Sequence, residues 1–175
     1  MEIWDIYDNN RLKTGKTHKR GKKLGDGEYI LIVMILIFDN QGRMLLQQRP
    51  KNVNWAPNKW TMTAGGAAIA GETSTQAASR ELYEELGLQI NFEGKRPNFS
   101  LCNNLSFTDY YIVRSGVDLS LLSVPNEEVV AIKWASMGDM IKMIECEECV
   151  PYRKSFVEYC FDVALNPILD SALTK

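Results

Sequence analysis

The chain has 175 residues, of which 45% are hydrophobic and 24% are charged, and its formal net charge at pH 7 is −2. These values are typical of one globular domain and exclude a disordered chain, and the near-neutral charge gives no global field that attracts nucleic acid or an anionic membrane. The longest apolar run, residues 29–38, is about half of a membrane-spanning helix and is interpreted as a buried strand.

Residues 1–28 are predicted to form an extension before the main domain. Within it, residues 2–7 and 11–17 pair as a hairpin across the turn at residues 8–10. The opening MEIWDIYDNN carries acids and no apolar signal-peptide core, which favours a cytoplasmic protein. Residues 11–23 hold seven lysines and arginines and no acid. This stretch is either a solvated loop, which we favour, or an arm that attracts phosphate.

A second hairpin is predicted from residues 29–38 and 43–49 across Asn40-Gln41-Gly42. Residues 50–59 are predicted to be a loop, in which Trp55 is the best candidate to stack on a base or sugar ring. A short strand at 60–64 leads into Gly65-Gly66, which we interpret as a strand-to-loop turn that lets the backbone approach a ligand.

A helix is predicted from about Ser74 to Leu86. Thr73 with Gln76 fits a capping box at its start, and Gly87 is placed to end it. Strands at 88–92, 109–114 and 129–134, helices at 137–144 and 152–165, and a tail at 166–175 follow. Strands mixed with helices predict an α/β sandwich around one core.

The cysteines lie at positions 102, 146, 149 and 160, and no metal site is expected from them. Cys146 and Cys149 form one CxxC among glutamates, but a zinc site needs about four ligands, and the one histidine, His18, is distant in the sequence. Acidic neighbours also raise the pKa of a thiol and suppress its thiolate. We therefore expect ordinary reduced cysteines.

Three glutamates of the predicted helix point to the chemistry. Glu81, Glu84 and Glu85 stand at i, i+3 and i+4 and so are expected on one face, where like charges repel by several tenths of a kcal/mol per pair. Oxygen ligands suit Mg²⁺ or Mn²⁺, and Mg²⁺ prefers one or two carboxylates together with substrate phosphate oxygens. The pattern predicts attack of water on a phosphoanhydride, with a carboxylate that accepts the proton.

These residues resemble the Nudix box, G-x5-E-x7-R-E-U-x-E-E-x-G-U, at every defined position. The matching residues are Gly66, Glu72, Arg80, Glu81, Leu82, Glu84, Glu85, Gly87 and Leu88. The motif is long and highly specific. The resemblance implies the Nudix fold, an α/β/α sandwich with a mixed sheet, over residues 29–165. It also implies hydrolysis of a nucleoside diphosphate linked to another group, or of a similar organic pyrophosphate.

The resemblance further implies a role for each residue. The Mg²⁺ or Mn²⁺ ion would be held by oxygen atoms of Glu84, Glu85, Glu81 and the Gly65 backbone carbonyl. Glu81 would be a ligand or the general base, and Glu72 and Arg80 would organise the catalytic site. Gly66 and Trp55 are the candidates for contact with the substrate. Outside the motif, Glu127 and Glu128 are further candidates for the base.

Outside the box, the chain resembles the branch of the family that is similar to isopentenyl-diphosphate isomerase. The cues are WDIYD at the start, TGKTH at 14–18 and the run LLQQRP…NVNWAPNKW. However, Gly65 stands in place of the catalytic cysteine of that isomerase, and Ala67 and Ile30 stand in place of metal-binding histidines. His18 is then expected to be a surface or hinge residue. Isomerase activity is therefore the weaker alternative to hydrolysis.

Two further alternatives remain: a nucleotide-binding module without catalysis, and an RNA partner of the basic stretch 11–23. The complete box argues against the first, because a protein that had lost catalysis would not need to retain all three glutamates. The net charge of −2 argues against the second. We expect a small-molecule diphosphate as the partner and no membrane. The C-terminal helix could also pair with a second copy in a homodimer.

Overall fold

A computed structural model describes residues 2–166 of the chain. The chain divides into two compact units, Met1–Ile35 with Ala64–Tyr111, and Leu36–Thr63 with Ile112–Lys175. The first unit contains strands β1 (Ile3–Tyr7), β2 (Lys13–Lys19), β6 (Ala64–Ala67) and β7 (Phe99–Cys102), and helix α1 (Ser74–Leu86). Strands β3 (Ile30–Phe38) and β8 (Ser106–Arg114) contribute residues to both units.

Strands β1 and β2 form the predicted N-terminal hairpin. They are antiparallel, with Ile3 opposite Lys19 and Trp4 opposite His18. The His18 ring stacks on Trp4 with its centroid at 6.0 Å, and its Nε2 lies 3.1 Å from the Lys22 carbonyl oxygen. His18 is 8% exposed, so the expectation of a surface residue is wrong. The cross-strand tryptophan covers the imidazole.

In the first unit, the start of β3 pairs antiparallel with β6, and β7 pairs antiparallel with β8. The buried apolar face of α1 includes Ala78, Leu82 and Leu86, each 0% exposed. Phe92 packs edge-on against Tyr111 of β8 with ring centroids 5.2 Å apart. These contacts build the core against which the helix is held.

The strand predicted at 88–92 is not present. Strand β7, which the sequence did not predict, pairs with β8. The Ile90 carbonyl accepts a hydrogen bond from the Ser79 hydroxyl of α1 at 3.1 Å. Phe92 is 1% exposed. The apolar residues of this segment alternate as in a strand, but its backbone does not pair with another strand. The prediction was wrong because it used the alternation alone.

The second unit contains β4 (Met44–Gln48), β5 (Trp60–Met62), β9 (Ala131–Ala135), α2 (Met137–Glu145) and α3 (Lys154–Leu165), together with a short 3-10 helix at Leu119–Leu121. Strand β4 pairs antiparallel with both β5 and β9, and Trp60 makes a parallel bridge to Cys149. Strand β9 and the two helices agree with the predictions within two residues. The tail predicted at 166–175 lies outside the described residues from 167 onwards.

Buried hydrogen bonds and aromatic packing hold the second unit together. Thr63 is 0% exposed; it accepts a hydrogen bond from the Ile37 N–H at 2.9 Å and donates one to the Leu45 carbonyl at 2.7 Å. Phe38 meets Phe161 of α3 edge-on at 5.1 Å. No helix within residues 2–166 combines the length and the apolar character that crossing a bilayer requires.

The four cysteines lie within the described residues and form no disulfide. Cys102 and Cys146 are exposed, whereas Cys149 and Cys160 are buried. Burial raises the pKa of Cys149 to about 11 and that of Cys160 to about 12. The two buried thiols therefore stay protonated at neutral pH, which removes the reactive thiolate.

Candidate active site

Helix α1 has the bounds that the sequence predicts, and both of its ends are fixed. The Thr73 side chain accepts from the Gln76 N–H at 3.3 Å, and the Gln76 side chain accepts from the Thr73 N–H at 2.9 Å, which completes the capping box. Gly87 has φ of 70° and donates its N–H to the Tyr83 carbonyl. The helix that carries the glutamates is therefore held locally at both termini.

The three glutamates of α1 differ in burial. Glu81 is 8% exposed and Glu85 is 5% exposed, whereas Glu84 is exposed. At 3.6 residues per turn, Glu85 lies about 40° to one side of Glu81 and Glu84 about 60° to the other. The sequence predicted that the three glutamates share one face of the helix, but in the structure they lie in different environments. Two carboxylates are directed inward and one towards solvent.

Gly65 and Gly66 lie in strand β6, opposite Met34 and Val33 of β3, and do not form the predicted turn. A Cβ atom on Gly66 would lie 2.4 Å from the Glu81 Oε1 atom and 2.6 Å from its Cδ. The Gly65 N–H donates to Glu85 Oε2 at 3.2 Å. The glycines are needed because the carboxylates approach the strand backbone closely, rather than because the chain turns there.

Arg80 joins the carboxylates of the box. Its Nε and one terminal nitrogen donate to the two oxygens of Glu72 at 2.8 and 2.9 Å. Its other terminal nitrogen donates to Glu81 at 2.8 Å and to Glu84 at 2.9 Å. A further bond at 3.1 Å reaches the Ala67 carbonyl at the end of β6. The organising role predicted for Glu72 and Arg80 is compatible with this geometry.

The ion pair between Glu72 and Arg80 shifts the pKa of both residues. Burial alone would raise the pKa of Glu72, but hydrogen bonds from Arg80 and the Ile69 N–H, with the positive charge of Arg80, hold that pKa below its usual value. The hydrogen bond to Glu72, and then the charge of Glu81, raise the pKa of Arg80. Glu72 therefore stays ionised and Arg80 charged across the neutral range.

The donor set suits a hard divalent cation, because it contains oxygen atoms only. Four carboxylates stand against the single guanidinium of Arg80 in this group, so a divalent cation would reduce its negative charge. Within residues 2–166, no three His, Cys, Asp or Glu side chains are already gathered around a point where a metal ion could bind. Arg80 donates to one oxygen of Glu81 and one oxygen of Glu84, and an ionised carboxylate can accept from a guanidinium and bind a metal ion at the same time.

The remaining predicted site residues lie in the second unit, whereas every residue of the box lies in the first. Trp55 is 58% exposed, and the Arg49 guanidinium lies 4.9 Å from its ring centroid. The Arg49 Nε also donates to the Trp55 carbonyl at 3.0 Å. Glu127 and Glu128 are exposed in the loop that precedes β9.

The structure also bears on the isomerase alternative. Gly65, at the position of the isomerase cysteine, lies in β6, where a Cβ atom would meet the Val33 carbonyl oxygen at 2.4 Å. The first unit has one cysteine in its sequence, Cys102, which is exposed at the end of β7. Ile30 is an apolar residue with 8% exposure. These positions offer neither a thiol nor imidazole ligands.

Sequence reasoning did not single out two residues of the N-terminal hairpin that contact the loop before α1. Asp5 Oδ2 accepts a hydrogen bond from the Gly71 N–H at 2.8 Å, and Lys13 Nζ donates to the Glu72 carbonyl at 3.2 Å. The predicted hairpin could have placed Asp5 near Lys13. It could not have indicated the loop that they contact, which is more than fifty residues away in the chain.

Comparison with known proteins gives a consistent result. The NUDIX domain family model matches residues 28–158. An uncharacterized Nudix hydrolase of Listeria monocytogenes is 41% identical over 152 residues, which is 87% of this chain and 90% of that protein. A prenyl-diphosphate phosphatase of Methanosarcina mazei is 27% identical over 118 residues, 65% of this chain and 67% of that protein.

Shorter and more distant similarities complete the comparison. An isopentenyl-diphosphate isomerase of Streptomyces griseus is 33% identical over 84 residues, 48% of this chain and 43% of that protein. A crystal structure of a Deinococcus radiodurans protein superposes with a TM-score of 0.75 and covers 91% of this chain and 99% of that one. Its sequence is 22% identical, so this likeness shows the fold alone.

Proposed function

Because this chain belongs to the Nudix hydrolase family, we propose that it cleaves a phosphoanhydride bond in an organic pyrophosphate by attack of water, with Mg²⁺ or Mn²⁺ as cofactor. The substrate class that we propose is a nucleoside diphosphate linked to another group, or a similar diphosphate ester. The name of the Methanosarcina mazei relative adds prenyl diphosphates to the compounds that should be tested.

One observation carries the proposal: two buried carboxylates lie against a glycine strand that leaves no room for a side chain. Glu81 lies where a Gly66 Cβ would be, and Glu85 accepts from the Gly65 N–H. Buried carboxylates are costly unless they are hydrogen-bonded or paired with cations. A packed helix that holds them at a strand edge supports a site for a divalent cation and the pyrophosphate that it accompanies.

In the proposed mechanism, oxygen atoms of Glu81, Glu84, Glu85 and the Gly65 carbonyl would hold the cation. When bound, the cation supplies Lewis acidity, which neutralises pyrophosphate oxygens and acidifies water. Glu81 or a neighbouring carboxylate takes the proton of the attacking water. The new bond forms between the water oxygen and phosphorus, the bridging P–O bond breaks, and its electron pair leaves with the departing phosphate. Arg80, fixed by Glu72, orients Glu81 and Glu84 on the helix.

The test is a screen of nucleoside-diphosphate derivatives and prenyl diphosphates with Mg²⁺ or Mn²⁺. Phosphate is measured directly and after added phosphatase, which also detects nucleoside monophosphates. We expect metal-dependent turnover that falls by at least about 100-fold in Glu85→Gln and in Glu84→Gln, since loss of outer-shell partners alone costs about 10- to 100-fold. Glu93→Gln, an exposed glutamate outside the box, is the matched control.

The outcomes separate the alternatives. Full activity in both box variants would refute the assignment of the site. Tight binding of nucleotides without release of phosphate would favour a module without catalysis. Formation of dimethylallyl diphosphate from isopentenyl diphosphate would favour the isomerase, which the partial similarity to the Streptomyces griseus enzyme keeps as the second candidate.

A further inference from the structure

The N-terminal hairpin contacts the loop that carries Glu72. The Ala70 N–H donates to the Ile3 carbonyl at 2.8 Å, and the Gly71 N–H donates to Asp5 Oδ2 at 2.8 Å. Strand β1 therefore satisfies two consecutive backbone donors of the segment between β6 and α1. These hydrogen bonds fix the path of the loop immediately before Glu72.

Lys13, on the second strand of the hairpin, completes this contact. Its Nζ forms an ion pair with Asp5 Oδ2 at 2.6 Å and donates to the Glu72 carbonyl at 3.2 Å. The ammonium group of Lys13 thus contacts both the Asp5 carboxylate, which accepts from Gly71, and the backbone carbonyl of Glu72. Hydrogen bonds to charged groups are stronger than those between neutral groups, so the pair restrains both residues.

Glu72 transmits this restraint to the site. Its carboxylate accepts two hydrogen bonds from Arg80 and one from the Ile69 N–H at 2.8 Å. Arg80 in turn donates to Glu81 and Glu84. A continuous series of hydrogen bonds therefore runs from the hairpin to the carboxylates of the box, entirely within the first unit.

A second contact fixes the start of helix α1 from the same hairpin. Asp109 of β8 is 0% exposed and accepts from Arg11 and from Ser74, the first residue of α1, each at 2.5 Å. Tyr111 donates to the Ser74 hydroxyl at 2.8 Å. The turn between β1 and β2 is thereby tied to the helix, so the hairpin cannot shift without disturbing both the loop and the helix start.

We propose that hairpin β1–β2, which lies before the region matched by the family model, is a positioning element of the hydrolytic site. Asp5 and Lys13 are its positioning residues, and they act through the backbone of Gly71 and Glu72 on the Glu72–Arg80 pair. The inference rests on the proposed function for its kinetic consequences. Its structural part, the restraint of the Arg80 guanidinium, can be measured without turnover.

The kinetic experiment compares Asp5→Ala and Lys13→Met in the full chain. We expect kcat to fall about tenfold, as for other outer-shell partners, with KM little changed, because the ligands of the substrate are untouched. Lys13→Arg, which keeps the charge and a donor, should restore most of the rate. Arg20→Met, which removes an exposed ion pair to Glu2 just outside the ends of β1 and β2, is the matched control and should have no effect.

A double-mutant cycle distinguishes positioning from general destabilisation. If Asp5 acts through Glu72, Asp5→Ala should cause no further loss of kcat in a Glu72→Gln background. Full additivity of the two losses would overturn the proposal, as would equal effects of Lys13→Met and Arg20→Met. Lys13 is exposed, so its replacement leaves the core intact if Asp5→Ala should fail to fold.

A spectroscopic arm remains informative if the wild-type chain hydrolyses no diphosphate. The Arg80 Nε–H donates to Glu72 Oε1, and its ¹⁵N–¹H signal can be assigned from its loss in Arg80→Lys. We expect its exchange with water to accelerate about tenfold in Lys13→Met and to be unchanged in Arg20→Met. Unchanged exchange in Lys13→Met would refute the positioning role. Absence of turnover together with accelerated exchange would refute only the proposed function.

Discussion

The guanidinium of Arg80 donates hydrogen bonds to three carboxylates, those of Glu72, Glu81 and Glu84. The contact with Glu72 differs in its consequence from the other two. The bond pair from Arg80 to Glu72 uses both carboxylate oxygens, which fixes the plane of the guanidinium. Its other side then holds Glu81 and Glu84 within hydrogen-bond distance of one nitrogen. Repulsion between these glutamates is thereby reduced on a helix that would otherwise carry uncompensated negative charge.

Replacing Gly66 by alanine should disable the site. The added Cβ would lie 2.4 Å from Glu81 Oε1, so either the carboxylate or strand β6 must move. We expect a loss of about 1–3 kcal/mol in unfolding free energy, as for other overpacked sites, together with loss of hydrolysis. Urea denaturation and the phosphate assay measure the two effects.

Gly138→Ala provides the control for that substitution. The nearest atom to its added Cβ is the Ser136 hydroxyl at 3.9 Å, which is ordinary contact, and the position lies in helix α2. Stability should be unchanged or raised by about 0.5–1 kcal/mol. If Gly66→Ala behaved like Gly138→Ala, the close approach of Glu81 to β6 would be wrong.

The Glu72–Arg80 pair should make stability depend on acid pH. The pKa of Glu72 in the folded chain lies below its usual 4.5, so its ionised form stabilises the fold. That contribution is complete above the pKa of the unfolded chain and is lost as pH falls through the folded pKa. The difference in unfolding free energy between wild type and Glu72→Gln should therefore shrink below about pH 4.5. A difference that stayed constant from neutral to strongly acid solution would contradict it.

Single residues of the site were predictable to the extent that they belong to the motif. The resemblance implied that Glu72 and Arg80 organise the site, and in the structure Arg80 donates to both carboxylate oxygens of Glu72. The partners of Asp5 and Lys13 were not predictable, because the loop that they contact is adjacent only after folding. The close approach of Gly66 to Glu81 was equally hidden, since a glycine pair is as typical of a turn as of close contact between a helix and a strand.

Among the elements, the helices differ in how their first turns are satisfied. Helices α1 and α2 begin with complete capping boxes at Thr73 and Ser136, whereas α3 begins after Arg153 with no side-chain cap. The first-turn donors of α1 are thus partly satisfied by its own sequence. The element that bears the glutamates is defined by local interactions in addition to packing.

Thr73→Ala should therefore cost about 1 kcal/mol of unfolding free energy. Arg153→Ala, at a position without a capping hydrogen bond, should change it by less than about 0.5 kcal/mol. Urea denaturation at neutral pH measures both, and the slope with urea concentration should stay the same. Equal losses in the two variants would mean that the cap contributes little beyond helix propensity.

Elements were predicted well where local signals agree and poorly where pairing depends on distant residues. The cap residues and the apolar periodicity defined α1 correctly at both ends. The segment 88–92 has the alternation of a strand, yet the Ser79 side chain binds the Ile90 carbonyl and no strand pairs there. Strand β7, with the sequence FSLC, is 4 residues long and mostly exposed, so its local signal is weak, and it is defined by its pairing with β8.

On the scale of the whole molecule, the Nudix fold implied by the resemblance, an α/β/α sandwich with a mixed sheet, is confirmed by the family model and by the solved structures similar to this chain. The domain boundaries near residues 28 and 165, the cytoplasmic location, the homodimer and the absence of an RNA partner remain predictions. The location rests on the opening sequence MEIWDIYDNN, the homodimer on the C-terminal helix, and the absence of an RNA partner on the net charge of −2.

A bound divalent cation should stabilise the whole chain by mass action. At about 100 times the dissociation constant, binding to the folded state alone adds roughly 2.7 kcal/mol. We expect Mg²⁺ or Mn²⁺, with a non-hydrolysable diphosphate, to raise the melting temperature of the wild-type chain but not that of Glu85→Gln. A wild-type melting temperature that does not respond, even with the diphosphate present, would contradict the metal site.

The unequal burial of the thiols offers a practical route to labelling. Cys102 belongs to the first unit and Cys146 to the second, and both are accessible to reagents, whereas Cys149 and Cys160 are shielded and protonated. A maleimide dye should thus react at one place in each unit without prior removal of the native cysteines. A donor–acceptor pair of fluorophores could then follow both units during ligand titrations.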